Sequence, residues 1–159
     1  MATIILVAVI VQTTLFGQID VITPDVVMLT AILLALTRIR PEATLAVAFA
    51  SGLLVDLLSS SLTGLRAVVF TVTAYLALRT RERASIGRPA MAVWAGVLTF
   101  AGVALLVLIG MLFGQTNLLG PEVASRVIFV SLANMLVAGL LAPLFVRIVD
   151  GDRTAFRFS

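Results

Sequence analysis

Apolar residues run along this chain in long blocks interrupted by charge, proline and glycine, and the interruptions mark out six segments. Positions 89–121 hold no charged residue, nor do positions 127–146; either stretch suffices to cross a hydrocarbon core of about 30 Å as a helix. The same reading applied throughout predicts an all-α, compact six-helix transmembrane bundle forming one domain, with helices over about 4–17, 25–37, 42–58, 62–78, 90–113 and 122–149. The first segment lacks a basic start and a small-x-small cleavage site, so it reads as a retained span and not a secretory signal. Its Gln12, Thr13 and Thr14 are expected to face other helices. Pro24 suits the first turn of the second helix, where Asp25 faces the positive end of the helix dipole and serves as its cap.

Arg38, Arg40 and Pro41 leave room only for a tight hairpin into the third helix. Along that helix Ala48, Gly52, Asp56 and Ser59 follow at spacings of four, four and three, which stacks them on one small, polar face. Ser59 to Ser61 with Thr63 and Gly64 form a turn, and Arg79 to Pro89 is the one clearly hydrophilic loop. Gly110 and Gly114 allow close helix approach at the end of the fifth helix, and Gly120 and Pro121 break the chain before the sixth. The sixth helix is expected to bend near Pro143 and to carry Ser131, Asn134, Ala138 and Ala142 on one face.

Composition narrows the chemistry. Of 159 residues, 61% are hydrophobic and 12% charged, and cysteine and histidine are both absent. Thiolate catalysis, disulfides and imidazole ligands are thereby excluded. Without histidine or lysine to activate it, the serine cluster is a helix-ending turn and not a nucleophile. No catalytic residue, metal set or cofactor motif is identified, and the arginines form no stripe that would fit nucleic acid.

The eleven arginines do fix an orientation. With the N-terminus in the cytoplasm, nine of them (Arg38, Arg40, Arg79, Arg81, Arg83, Arg88, Arg147, Arg153 and Arg157) lie inside, as the positive-inside rule favours. Both termini are then cytoplasmic. Asp20, Asp25, Asp56, Glu122, Arg66 and Arg126 fall toward the outer side, where Asp25 and Asp56 are expected to pair with Arg66, Arg126 or backbone donors. For Asp56 the choices are a lock between the third and fourth helices through Arg66, a substrate or proton site, or a partner contact. The basic loop of Arg79, Arg81, Arg83 and Arg88 either sets topology or binds anionic lipid or a cytoplasmic protein. Ala31 with Ala35, and Ala46 with Ala50, are packing faces of the bundle or faces for a partner.

The stretch GLLVDLLSSSLTGLRA, Gly52 to Ala67, closely resembles a motif of the rod shape-determining protein MreD family. TPDVVMLT, Thr23 to Thr30, and VQTTLF, Val11 to Phe16, are similar to the same family's second and first helices. On that resemblance Pro24, Asp25, Gly52, Asp56 and Gly64 match the family pattern, with no catalytic role attached. It implies a multipass inner-membrane component of the bacterial cell-elongation machinery, beside the single-span protein MreC, MreB filaments and wall synthases that include RodA. The expected function is non-enzymatic: a small-residue groove, lined either by Gly52 and Asp56 or by Ala138 and Ala142, would hold MreC's transmembrane helix and help organise lateral peptidoglycan synthesis. The family fold also resembles the substrate-binding membrane subunits of energy-coupling-factor vitamin transporters, which supplies the alternative function. Those subunits dock through Ala-x-x-x-Ala pairs typically in helix one, whereas here the pairs fall in the second and third helices.

Overall fold

A computed structural model describes Ala8, Ile10 and residues 25–37, 40–58, 63–84, 88–114 and 122–155. Five helices account for nearly all of the described residues: α1 (Val26–Leu36), α2 (Pro41–Leu58), α3 (Leu65–Ala84), α4 (Arg88–Leu112) and α5 (Glu122–Ala155). Three stretches, Pro41–Leu58, Pro89–Leu112 and Val123–Leu141, are long and apolar enough to cross a membrane. The architecture is therefore that of a membrane helical bundle. Of the first expected span only Ala8 and Ile10 are described, both helical. The remainder of that span, the turn over 18–24 with Pro24, Arg38, the serines 59–61 and the turn over 115–121 lie outside the described residues.

The shortest helix occupies the centre. α1 is apolar on every side, and a helix of that kind is stable only when surrounded. Every residue from Val27 to Leu36 is buried, and α1 packs against all four of the other helices, while α2 to α5 follow one another around it as consecutive neighbours. Lipid offers apolar side chains nearly what a protein core offers, so close packing and interhelical hydrogen bonds decide how such helices associate. The outward faces are correspondingly greasy: Phe49 and Leu57 on α2, Val68 and Val72 on α3, Val97 and Phe100 on α4, and Leu132, Leu136 and Leu140 on α5 are exposed.

Hydroxyl groups inside the bundle are mostly satisfied within their own helix. Thr30, Thr44, Thr71, Thr73, Thr99 and Ser131 each donate to the carbonyl four residues back. This local bonding removes the cost of an unpaired hydroxyl in an apolar setting. It also takes these groups out of the inventory for ligands.

Two boundaries differ from the sequence expectation. α3 begins at Leu65 and continues to Ala84, so the first half of the hydrophilic stretch after Leu78 is helical and not loop. Arginine and glutamate are good helix formers, and arginines in a last turn face the negative end of the helix dipole. α5 passes through Pro143 and ends at Ala155, six residues beyond the expected end. One proline removes one backbone donor, whereas ending a helix inside an apolar layer would strand several.

Candidate functional site

Two aspartates and one arginine meet where three helices end. Gly64 has φ +98°, a left-handed conformation that glycine adopts without steric cost. Its carbonyl accepts the N–H of Val68 at 3.1 Å, which makes Gly64 the residue that caps α3. A glycine cap has no side chain to satisfy the first N–H groups of its helix. Asp56 supplies the missing acceptor from the last turn of α2: its Oδ2 accepts the N–H of Gly64 at 2.9 Å, of Arg66 at 2.9 Å and of Ala67 at 3.3 Å. Asp56 is only 1% exposed. The carboxylate is a helix cap borrowed from a neighbouring helix.

This cap needs the two backbones in near contact, and Gly52, one turn before Asp56, provides that. A Cβ placed on Gly52 would lie 2.6 Å from the Cα of Ala67 and 2.6 Å from the carbonyl oxygen of Arg66. The stacked face foreseen along the third segment, with Ala48, Gly52 and Asp56 all buried, is thus filled by the start of α3. Ser59 of that face lies outside the described residues.

Asp25 caps its own helix, Oδ1 accepting the N–H of Met28 at 3.0 Å. Between the two carboxylates lies Arg66, its Nη1 3.9 Å from Asp25 Oδ2 and its Nε 3.9 Å from Asp56 Oδ1. Both separations exceed hydrogen-bond length, so the guanidinium is held by charge, whereas the backbone bonds to Asp56 are short and directional. Counted as carboxylates, the acids carry two negative charges. Arg66 supplies one positive charge, and the N-termini of α1 and α3 add roughly half a charge each, so the cluster is close to neutral. Near-neutrality is what makes such a group tolerable beside lipid. An Asp25→Ala variant is expected to lose about 1 kcal/mol of stability, and Asp25→Asn, which can still cap, only a small part of that. Unfolding midpoints of the purified proteins in one detergent would check the ranking.

A third link ties α1 to the far side of the bundle. Asn134 of α5, fully buried, donates from Nδ2 to the backbone carbonyl of Asp25 at 3.3 Å and to Oγ1 of Thr99 in α4 at 3.4 Å. Sequence reasoning placed Asn134 on a polar face with Ser131 and Ala138, both also buried, but not its partners. Those lie 35 and 109 residues away in the chain, beyond any local pattern.

The other expected site residues are dispersed. Arg126 is exposed on the second turn of α5, and among the described residues it forms no ion pair with Asp25 or Asp56. Among the described residues, the ion pairs of the two aspartates run through Arg66. Arg79 and Arg81 lie in the last turns of α3, Arg83 belongs to the same helix, and Arg88 opens α4. Ala31 and Ala35 are buried in the core, whereas Ala46 and Ala50 face outward on α2. No group of three or more acidic residues that could hold a metal ion occurs among the described residues.

What this arrangement does chemically is fasten helices: Asp56 spends its acceptors on backbone donors, and Asp25 and Arg66 are engaged with it or with α1. Neither a curated protein nor a solved structure matches the chain. A family model, described as rod shape-determining protein MreD, matches residues 1–149. That match takes in the capped junction, the core helix α1 and most of α5, and the chain belongs to the rod shape-determining protein MreD family.

Proposed function

We propose that this protein is a non-enzymatic scaffold of the cell-elongation machinery in the bacterial inner membrane, with both termini in the cytoplasm. In this reading it seats the single transmembrane helix of MreC within the bilayer, and so couples RodA-containing wall synthases outside to MreB filaments inside. Membership of a shape-determining family supports the process. The seat itself is assigned to α2.

The observation that carries the assignment is which small-residue faces remain open. The groove of Gly52 and Asp56 is occupied by α3, and of Ala138 and Ala142 the first is fully buried while the side chain of the second lies outside the described residues. Ala46 and Ala50 are exposed one turn apart on α2, with Phe49 beside them. Small residues at four-residue spacing let a partner backbone approach closely, and close packing is the main source of helix association in lipid. Among the described helices α2 also lies at one end of the arc, with α3 and α1 as its main neighbours.

The double variant Ala46→Leu, Ala50→Leu should reduce recovery of MreC with the tagged protein by about tenfold, while its own unfolding midpoint stays near that of the parent. Undiminished recovery would exclude α2 as the seat. Absence of MreC from purifications of the unaltered protein would overturn the scaffold reading as a whole.

A further inference from the structure

The basic end of α3 differs from its acid-bound start in what its arginine has left to offer. Arg66 is enclosed between two carboxylates. Arg79, by contrast, is exposed and donates from Nε to the hydroxyl of Tyr75 at 3.0 Å, with Cζ 5.6 Å from the ring centroid. A guanidinium has five N–H donors, four of them on its two terminal nitrogens. The bond from Nε constrains the group and leaves those four without a protein acceptor among the described residues. No carboxylate among the described residues pairs with Arg79; Glu82, three residues on, has an interaction of its own.

The position of this arginine is as telling as its free donors. Val68, Val72, Tyr75 and Leu76 are exposed on α3 and lead to Arg79 at spacings of four, three or four, and three or four, so they form one outward stripe. From Val68 to Arg79 the helix rises about 16 Å, close to the roughly 15 Å depth of one leaflet's hydrocarbon. Aromatic residues with a polar tip collect at the boundary between hydrocarbon and headgroups. Tyr75 is one such residue, and Trp94 of α4, whose indole N–H donates to Thr80 Oγ1 at 2.7 Å, is a second next to the same turn. That bond also ties the last turns of α3 to α4, so Arg79 projects from an anchored helix and not from a loose end.

We propose that Tyr75 and Arg79 form a binding site for the headgroup phosphate of an anionic phospholipid, whose acyl chain lies along Val68, Val72 and Leu76. Arg79 binds two phosphate oxygens through its terminal nitrogens, as guanidinium groups bind phosphate generally. Tyr75 holds the guanidinium at headgroup depth. Arg81, part-exposed two residues on, adds positive potential that favours an anionic headgroup over a zwitterionic one. This end of the bundle is the arginine-rich one, which the positive-inside rule assigns to the cytoplasmic leaflet.

The test uses the full-length protein purified in a mild detergent, titrated with phosphatidylglycerol or phosphatidylcholine and examined by native mass spectrometry for bound lipid. The unaltered protein is expected to retain phosphatidylglycerol over phosphatidylcholine. Arg79→Gln should lower phosphatidylglycerol retention about fivefold, Tyr75→Phe should lower it by less, and Arg126→Gln, an exposed arginine at the opposite end, should not change it. Equal retention by Arg79→Gln and the parent would overturn the site. So would an equal loss in Arg126→Gln, which would mean that net charge alone is read. Displacement of the lipid by inorganic phosphate at the same concentration would also overturn it, by showing that a free anion and not a lipid is the ligand.

Discussion

Asp56→Ala should be among the most damaging single changes in this protein, costing about 3–5 kcal/mol. It removes the acceptor of three N–H groups at the start of α3, and Gly64 has no side chain to take over. Those donors would be left unpaired at a half-buried helix end, with Ala67 N–H fully buried. Asp56→Asn keeps one carbonyl oxygen and should fall between Ala and the parent. Arg66→Ala should cost less than either, because the short backbone bonds persist and only the two 3.9 Å ion pairs are lost. The ranking can be read from unfolding midpoints in detergent and from the amount of protein that accumulates in membranes. A reversed order, with Arg66→Ala the worst, would mean that the ion pairs and not the borrowed cap hold α2 to α3.

Gly52→Val is expected to prevent the folded protein from accumulating at all. The atoms a side chain would meet at Gly52 are backbone: the Cα and N of Ala67 and the carbonyl oxygen of Arg66, all within 2.7 Å. Backbone cannot rotate aside as a side chain can. Any relief moves α3 away from α2 and lengthens the bonds to Asp56, so a steric change becomes a hydrogen-bonding loss. Even Gly52→Ala should exceed the usual 1–3 kcal/mol of an overpacked core. Gly64→Ala makes a useful contrast. Its Cβ would meet nothing within 4 Å, so its penalty is the conformational one of a positive φ alone, about 1–2 kcal/mol. Comparing the two alanine variants by thermal unfolding separates crowding from backbone preference. If Gly64→Ala were the worse, close approach at Gly52 would not be what limits the junction.

The helical character and the placing of Ala48, Gly52 and Asp56 on one face follow from period, and the expectation that Asp25 and Asp56 meet Arg66, Arg126 or backbone donors followed from charge and proximity along the chain. Which interaction dominates was not legible in the sequence. Pairing an acid with an arginine is the natural inference from residue types, but Asp56 is held chiefly by backbone N–H groups, which every residue except proline carries and which therefore leave no mark in a sequence. The clue was the glycine at position 64 with an aspartate eight residues earlier: a helix whose cap has no side chain must borrow one. The link from Asn134 to Asp25 was illegible for a different reason, since it joins segments brought together only by the packing of the whole bundle. Exposure likewise separated two alanine pairs of identical spacing, Ala31 with Ala35 inside and Ala46 with Ala50 outside. The arginines after Leu78 misled in the opposite direction, because charge argued for a loop where helix propensity and dipole sustained another turn of α3.

The shortness of α1 bears on how the protein is made. Eleven residues give a helix of about 16 Å, roughly half the hydrocarbon thickness. The carbonyl of its cap, Asp25, accepts from Asn134, about three turns into α5, and the same side-chain nitrogen reaches Thr99 near the middle of α4. Leaving the ribosome long before those partners exist, α1 has neither the length to settle across the bilayer alone nor a neighbour to bond its capped end. Its bond to Asn134 can form only once α5 has been delivered, more than 100 residues later. The central helix is thus among the first to be synthesised, and its packing is completed by the last helix to follow.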